Sequence, residues 1–141
     1  VALVDAEDPA RFRDERFDAR TTAIAYASAR VFRRLGLWPA IERQAEPIRD
    51  ILVTDGRAPS GVKRGAASAF HLHFDSDALE SGEPLGFIIE NRVLRAAIYD
   101  AIAANARIRL IAPSRASAPD FSGGAARLTL TSGERLEAPL I

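Results

Sequence analysis

Near the middle of the chain a strand pattern runs straight into a helix pattern with no turn between them, and this junction constrains the fold most. Gly86–Glu90, the run Gly-Phe-Ile-Ile-Glu, reads as a strand. Asn91 follows at once and opens the clearest helical periodicity of the sequence, residues 91–104, with Leu94, Ala97, Ile98, Ala101 and Ile102 on one side. A strand that hands its last residue directly to a helix N-terminus calls for an architecture in which helices and strands share one framework.

The rest of the chain fits that reading. Residues 1–4 are continuously apolar, as in a parallel-sheet strand covered on both faces, and the run ends in Asp5. Residues 6–18 are charged, contain Pro9 and predict an irregular loop. A helix is expected from Thr21 or Thr22 to Leu35, capped by either threonine, with Ile24, Ala27, Val31 and Leu35 on its apolar face and Gly36 as its stop. A second short helix follows to about Gln44, with Pro39 in its first turn. Residues 48–54 predict a strand with Ile51 and Val53 apolar, and Asp55-Gly56 a turn. Residues 57–68 have the Gly, Pro, Ser and Ala content of a mobile connection, and residues 69–75 alternate like a strand. A strand at 108–112, a polar link at 113–124 and a hairpin of 125–131 with 135–141 around Ser132-Gly133 complete the pattern. The order is mixed α/β, as an open sheet interrupted by a second, antiparallel sheet would give. The apolar ends, residues 1–4 and 138–141, predict that both ends are cuts through a larger domain.

Composition removes several function classes. With 19 basic and 19 acidic residues the formal net charge is zero, which argues against nucleic-acid binding. There is no cysteine, so disulfides, thiolate nucleophiles and cysteine-ligated metals are excluded. No apolar run approaches the roughly 20 residues that span a bilayer.

A few polar side chains stand where chemistry is done. Asp5, at a strand end, is either an ordinary turn residue or the acid that accepts ribose hydroxyls in a dinucleotide fold. Arg20, just before the expected helix, either pairs with Asp18 at the surface or reaches a phosphate. Asn91 serves either as an N-cap or as an amide contact to a cofactor over the helix terminus, and Arg92 is either solvated or a phosphate contact. His71 and His73 share one strand face with Asp75. His-x-His pairs bind metal, but no third ligand stands at a supporting spacing, so a solvated or substrate-facing surface is preferred and no metal is assigned. Neither a nucleophile elbow nor a P-loop is present, and no catalytic acid or base is nominated.

Three blocks together carry a resemblance. They are residues 18–24 (Asp-Ala-Arg-Thr-Thr-Ala-Ile) continued by Arg33-Arg34-Leu35-Gly36-Leu37-Trp38; residues 45–51 with Val53 and Asp55-Gly56 after them; and residues 85–94 (Leu-Gly-Phe-Ile-Ile-Glu-Asn-Arg-Val-Leu). In this order they resemble the ubiquinone-biosynthesis hydroxylases, single-component flavin monooxygenases built like para-hydroxybenzoate hydroxylase. The resemblance implies an internal fragment of a partial Rossmann-like FAD-binding domain interleaved with part of an antiparallel substrate-domain sheet. Residues 48–90 would be substrate-side strands and the remainder FAD-domain elements. It implies Asp5 as the ribose-binding acid, Arg20 as an FAD-contacting arginine, and Asn91 and Arg92 as further cofactor contacts. NAD(P)H would reduce FAD, and the reduced flavin would use O₂ to hydroxylate a polyprenylated phenol. The expected setting is cytoplasmic, with contact to the inner membrane surface. The glycine-rich fingerprint and the later Asp-Gly motif of the family lie outside residues 1–141, so the segment alone is expected to be inactive. The competing expectations are a flavin hydroxylase acting on another aromatic, or a non-catalytic α/β binding module.

Overall fold

The computed structural model describes residues 1–13, 20–54 and 71–140, with the side chains of Phe12 and Arg13 left aside. In chain order the elements are β1 (Ala2–Val4), a 3-10 turn (Pro9–Arg13), β2 (Thr21–Ala25), α1 (Tyr26–Arg34), α2 (Trp38–Ile41), a second 3-10 turn (Glu42–Gln44), β3 (Ala45–Ile48), β4 (Asp50–Thr54), β5 (His71–Asp75), a third 3-10 turn (Ser76–Ala78), β6 (Gly86–Glu90), α3 (Asn91–Ala103), β7 (Arg109–Ile111), β8 (Ala126–Thr129) and β9 (Arg135–Ala138). The architecture is mixed α/β, with several small sheets. The expected Asp55-Gly56 turn, the 57–68 connection, the first two residues of the 69–75 strand, Asp18, Ala19 and Ile141 lie outside the described residues. Among the described residues no helix is long and apolar enough to cross a membrane. The chain divides into two compact units, one made of Val1–Asp18 with Arg92–Ile141 and the other of Ala19–Asn91.

The Ala19–Asn91 unit is organised by β6. It is the middle strand of an antiparallel sheet of order β2-β6-β3, hydrogen-bonded on both sides. Here the sequence expectation is corrected: residues 21–25 form a strand, not the first turns of a helix, and neither Thr21 nor Thr22 caps one. The reason lies in the residues. Thr-Thr-Ala-Ile-Ala is rich in β-branched side chains with restricted χ1, and it finds a full-length partner, from Thr21 opposite Glu90 to Ala25 opposite Gly86. Helix α1 then starts at Tyr26, whose N–H donates to the Leu85 carbonyl at 3.1 Å. It ends in a Schellman arrangement: Gly36 (φ 75°) donates to Arg33 O and Leu37 donates to Phe32 O.

The buried face of α1 also differs from the expected one. Ala29 is fully buried, whereas Val31 and Leu35, expected in the core, are 54% and 66% exposed. Trp38 and Ile41 of α2 join Ile24, Ala29, Phe87 and Ile89 as the buried apolar residues of this unit. Trp38 meets Phe87 edge-to-face at 4.7 Å, and the Arg33 guanidinium lies 4.9 Å from the Trp38 ring. Gly86 has no room for a side chain, since a Cβ there would lie 2.3 Å from the Ile24 carbonyl oxygen. The single strand expected over 48–54 is two strands. β3 pairs with β6, β4 pairs with β5, and Arg49 between them accepts a hydrogen bond from Ser76 N–H at 2.8 Å. Ile51 and Val53 are exposed on the β4–β5 ribbon rather than packed in a core.

In the other unit β1 and β7 pair in parallel, Ala2 opposite Arg109 and Val4 opposite Ile111. The expected strand pattern is met, but not the expected cover, because Val1 and Leu3 are exposed. On α3 the buried positions are Val93 and Ala97, while Ala101, assigned to the apolar face, is exposed. β8 and β9 form the expected hairpin, turning at Gly133 (φ 84°), with Ala126 and Leu130 buried. The link at 113–124 is tied to that hairpin by bridges from Ala116 to Leu130 and from Asp120 to Arg127.

Candidate nucleotide-binding site

The parallel pairing of β1 and β7 brings two strand carboxyl ends side by side. In open α/β sheets ligands bind beyond the carboxyl ends of strands. Asp5 stands at one of these ends. Its N–H donates to Ile111 O at 3.2 Å, and its C=O accepts from Ser114 N–H at 2.8 Å, so its backbone is tied to β7 and to the turn that follows. A cis peptide joins Ala112 to Pro113 in that turn.

The Asp5 side chain is held as firmly. Oδ1 accepts the Glu7 N–H at 2.9 Å, and Oδ2 accepts the hydroxyl of Tyr99 from α3. The Glu7 N–H chiefly, then the Tyr99 hydroxyl, hold the carboxyl below its ordinary range, with Arg95 adding a smaller favourable field. Tyr99 shows the reciprocal effect. Burial first, and then the bond to Asp5, push its phenol up to about 12. The carboxylate is therefore ionised and the phenol protonated across the neutral range.

The two chain neighbours of Asp5, Val4 and Ala6, line a cleft of about 450 Å³ together with Ser114, Arg115 and Leu128 among others, while Asp5 itself stands outside that lining. Ser114 Oγ is buried without a hydrogen-bond partner. A buried hydroxyl in that condition is costly unless a water or another polar group meets it, which makes Ser114 the candidate polar contact of this cleft. A second recess, about 750 Å³, is walled mainly by Val1, Val4, Leu128, Leu136 and Leu140, and it offers no comparable polar set.

The other sequence-nominated residues fall elsewhere. Within the Ala19–Asn91 unit, the β2–β6 pairing brings Arg20 and Asn91 together: Asn91 N–H donates to Arg20 O at 3.0 Å. The Thr22 hydroxyl donates to Asn91 Oδ1 at 2.5 Å, which leaves the amide NH₂ of Asn91 as its remaining polar group. α3 begins at Asn91 itself, and Arg92 is its second residue. The His71–His73–Asp75 face exists as expected, and His73 Nε2 bonds Asp50 Oδ1 of the adjacent strand at 2.9 Å.

Sequence reasoning missed Tyr99 and Ser114. Tyr99 sits 94 residues from Asp5, and nothing local announces the bond. Ser114 was findable, because it lies just past the expected 108–112 strand, where a parallel neighbour of β1 would place a ligand.

Comparison with known proteins bears on the whole segment. No protein-family model matches the chain. Over its full length it is 34% identical to ubiquinone hydroxylase UbiL of Rhodospirillum rubrum, 27% to ubiquinone hydroxylase UbiM of Neisseria meningitidis and 27% to 3-demethoxyubiquinol 3-hydroxylase of Escherichia coli. The chain spans only 30%, 29% and 34% of those proteins. Among solved structures, a mutant of PqsL from P. aeruginosa superposes with a TM-score of 0.60 at 17% identity, over 97% of this chain and 34% of that one. That likeness establishes a shared fold over the matched part.

Proposed function

We propose, starting from a chain that is homologous along its whole length to the ubiquinone hydroxylases, that it is part of an FAD-dependent monooxygenase that hydroxylates a polyprenylated phenol with NAD(P)H and O₂. The observation that carries the reading is Asp5. It is an ionised carboxylate fixed at the carboxyl end of a parallel strand, beside a cleft with an unsatisfied buried hydroxyl. That is the residue type and the place that accept ribose hydroxyls in dinucleotide folds. The donor set therefore fits the adenosine part of FAD, and it supports reading β1, β7 and α3 as part of a Rossmann-like domain. In the same reading residues 48–90 belong to the substrate side, where the polar face of His71, His73 and Asp75 would meet a phenol.

Arg20, Asn91 and Arg92 are the further FAD contacts in this proposal. Arg20 and Arg92 offer guanidinium donors to phosphate, and Asn91 offers its amide NH₂. The flavin, when bound, supplies the redox chemistry; these side chains bind and orient it. No residue here is assigned as a catalytic acid or base. A prenylated substrate partitions into bilayers, so the enzyme works in the cytoplasm in contact with the inner membrane surface. The isolated 141 residues lack most of the relatives' length and are read as inactive alone.

The test is an assay of the complete product of the gene that encodes this segment. With NADH or NADPH and O₂, it is expected to hydroxylate a prenylated phenol in detergent or vesicles. Turnover of soluble phenols with none of prenylated ones would replace the substrate assignment. Absence of flavin and of any turnover would remove the enzyme reading in favour of a binding module.

A further inference from the structure

We propose that Tyr99 is a positioning residue for Asp5, holding its carboxylate in the orientation that accepts the two hydroxyls of a ribose. The proposal rests on the reading of Asp5 as a ribose contact, and its test separates the two.

The turn after β1 does not need Tyr99. The bond from Glu7 N–H to Asp5 Oδ1 spans two residues and closes the turn by itself. The Tyr99 hydroxyl instead reaches Asp5 Oδ2 from α3, across 94 residues of sequence. Together the two donors fix both oxygens. Without Tyr99, Oδ2 loses its side-chain donor and only the adjacent Glu7 and Ala6 N–H groups orient the carboxylate.

Acceptor geometry shows what such fixing achieves. Each carboxylate oxygen has about two lone-pair sites. One site on Oδ1 goes to Glu7 N–H and one on Oδ2 goes to Tyr99, the Ala6 N–H acts more weakly on the same carboxylate, and the acceptor sites that are left are held in defined directions. Two adjacent acceptors on one rigid carboxylate match two adjacent hydroxyl donors, which is the pattern of a ribose cis-diol. The Asp5 backbone is anchored as well, through Ile111 O and Ser114 N–H, so the unit as a whole is preorganised and binding needs little reordering.

A tyrosine that merely ties α3 to the end of β1 would affect every nucleotide alike. A positioning tyrosine would affect only those that carry the diol. The test is therefore an NMR titration of the complete gene product carrying this segment, freed of bound flavin, with ADP and with 2′,3′-dideoxy-ADP at millimolar concentrations, for the wild type, Tyr99→Phe and Asp5→Asn. The wild type is expected to show shifts at Asp5, Glu7 and Ser114 and to prefer ADP. Tyr99→Phe is expected to weaken ADP binding about 3- to 10-fold, the effect of losing roughly one hydrogen bond's contribution, and to leave the dideoxy analogue unchanged. Equal weakening of both nucleotides, or no change in either, would overturn the role of Tyr99. If Asp5→Asn binds ADP as well as the wild type does, or if ADP shifts nothing near Asp5, the ribose reading itself falls and the Tyr99 proposal falls with it. If Asp5→Asn loses the preference and Tyr99→Phe keeps it, only the Tyr99 proposal is lost.

Discussion

The two units reach order by different means. In Ala19–Asn91 a central strand, β6, is hydrogen-bonded on both sides, and large buried side chains from β2, β6 and α2, with Ala29 of α1, form the core. Ile41 and Ile89 are wholly buried there. In the unit formed by Val1–Asp18 and Arg92–Ile141, among the described residues, the sheets are two-stranded and the buried apolar set is Val93, Ala97, Ala126 and Leu130. Its parallel pair exposes Val1 and Leu3, although parallel sheets are ordinarily covered on both faces. What fixes the strand ends in this second case is polar: the backbone bonds of Asp5 and the Glu7 and Tyr99 donors on its carboxylate. The unit with the weaker apolar core carries the better-formed polar site. Side chains set by specific hydrogen bonds need only a rigid strand end, not a large core beneath them.

The largest difference in stability between the two units is expected at β6. Ile89→Ala empties a fully buried position and is expected to cost about 2–5 kcal/mol. Leu3→Ala in β1 is expected to cost under about 1 kcal/mol, since that side chain is already exposed. Urea unfolding of both variants decides the matter, and equal losses would show that burial does not distinguish the units. Gly86→Ala comes next, at about 1–3 kcal/mol, because the new methyl meets the Ile24 carbonyl and backbone has to move. Unchanged stability with unchanged β2–β6 amide protection would contradict the close approach. Arg33→Ala is smaller, about 0.5–1 kcal/mol, from the loss of the cation lying over Trp38. Thermal melts of Arg33→Ala beside Arg30→Ala, which removes an exposed arginine of the same helix, would isolate that contribution.

The Asp5–Tyr99 pair sharpens the other side of the comparison through pH. Asp5 has its folded pKa lowered, so its stabilising effect is complete above the unfolded carboxyl value and fades as pH falls through the folded one. Tyr99 has its folded pKa raised to about 12, so its effect is complete below the unfolded phenol value and is lost as pH climbs through the folded one. An ultraviolet titration should show one of the two tyrosines ionising late, and Asp5→Asn should bring that step back toward the ordinary phenol range. If Asp5→Asn leaves the late step where it was, burial alone holds the phenol and the bond contributes nothing to its titration.

Much of this was legible in the residues. The strand at Gly86–Glu90 and the helix after it, the hairpin turn at Gly133 and the stop at Gly36 all follow from local chemistry, and all four are found. The failures share a cause. Residues 21–25 carry apolar spacing that suits a helix, but their β-branched side chains meet a distant strand, and the tertiary partner decides. On the shorter helix Ala29 takes the buried place, and Val31 and Leu35, expected on the apolar face, are exposed. Arg49 splits a continuous β pattern because its two halves find different partners, β6 and β5. At the site, Asp5 was visible from its place after an apolar run, while Tyr99 was not, since its significance exists only after folding brings α3 to the end of β1.

The most direct test of the account is the flavin content of the complete gene product carrying this segment, measured as FAD per polypeptide after purification, with and without Asp5→Ala. The account predicts that the wild type retains FAD near one per chain and that Asp5→Ala, still folded by circular dichroism, retains far less. Equal FAD in both proteins would contradict the assignment of Asp5, and absence of FAD from the wild type would contradict the flavoenzyme reading.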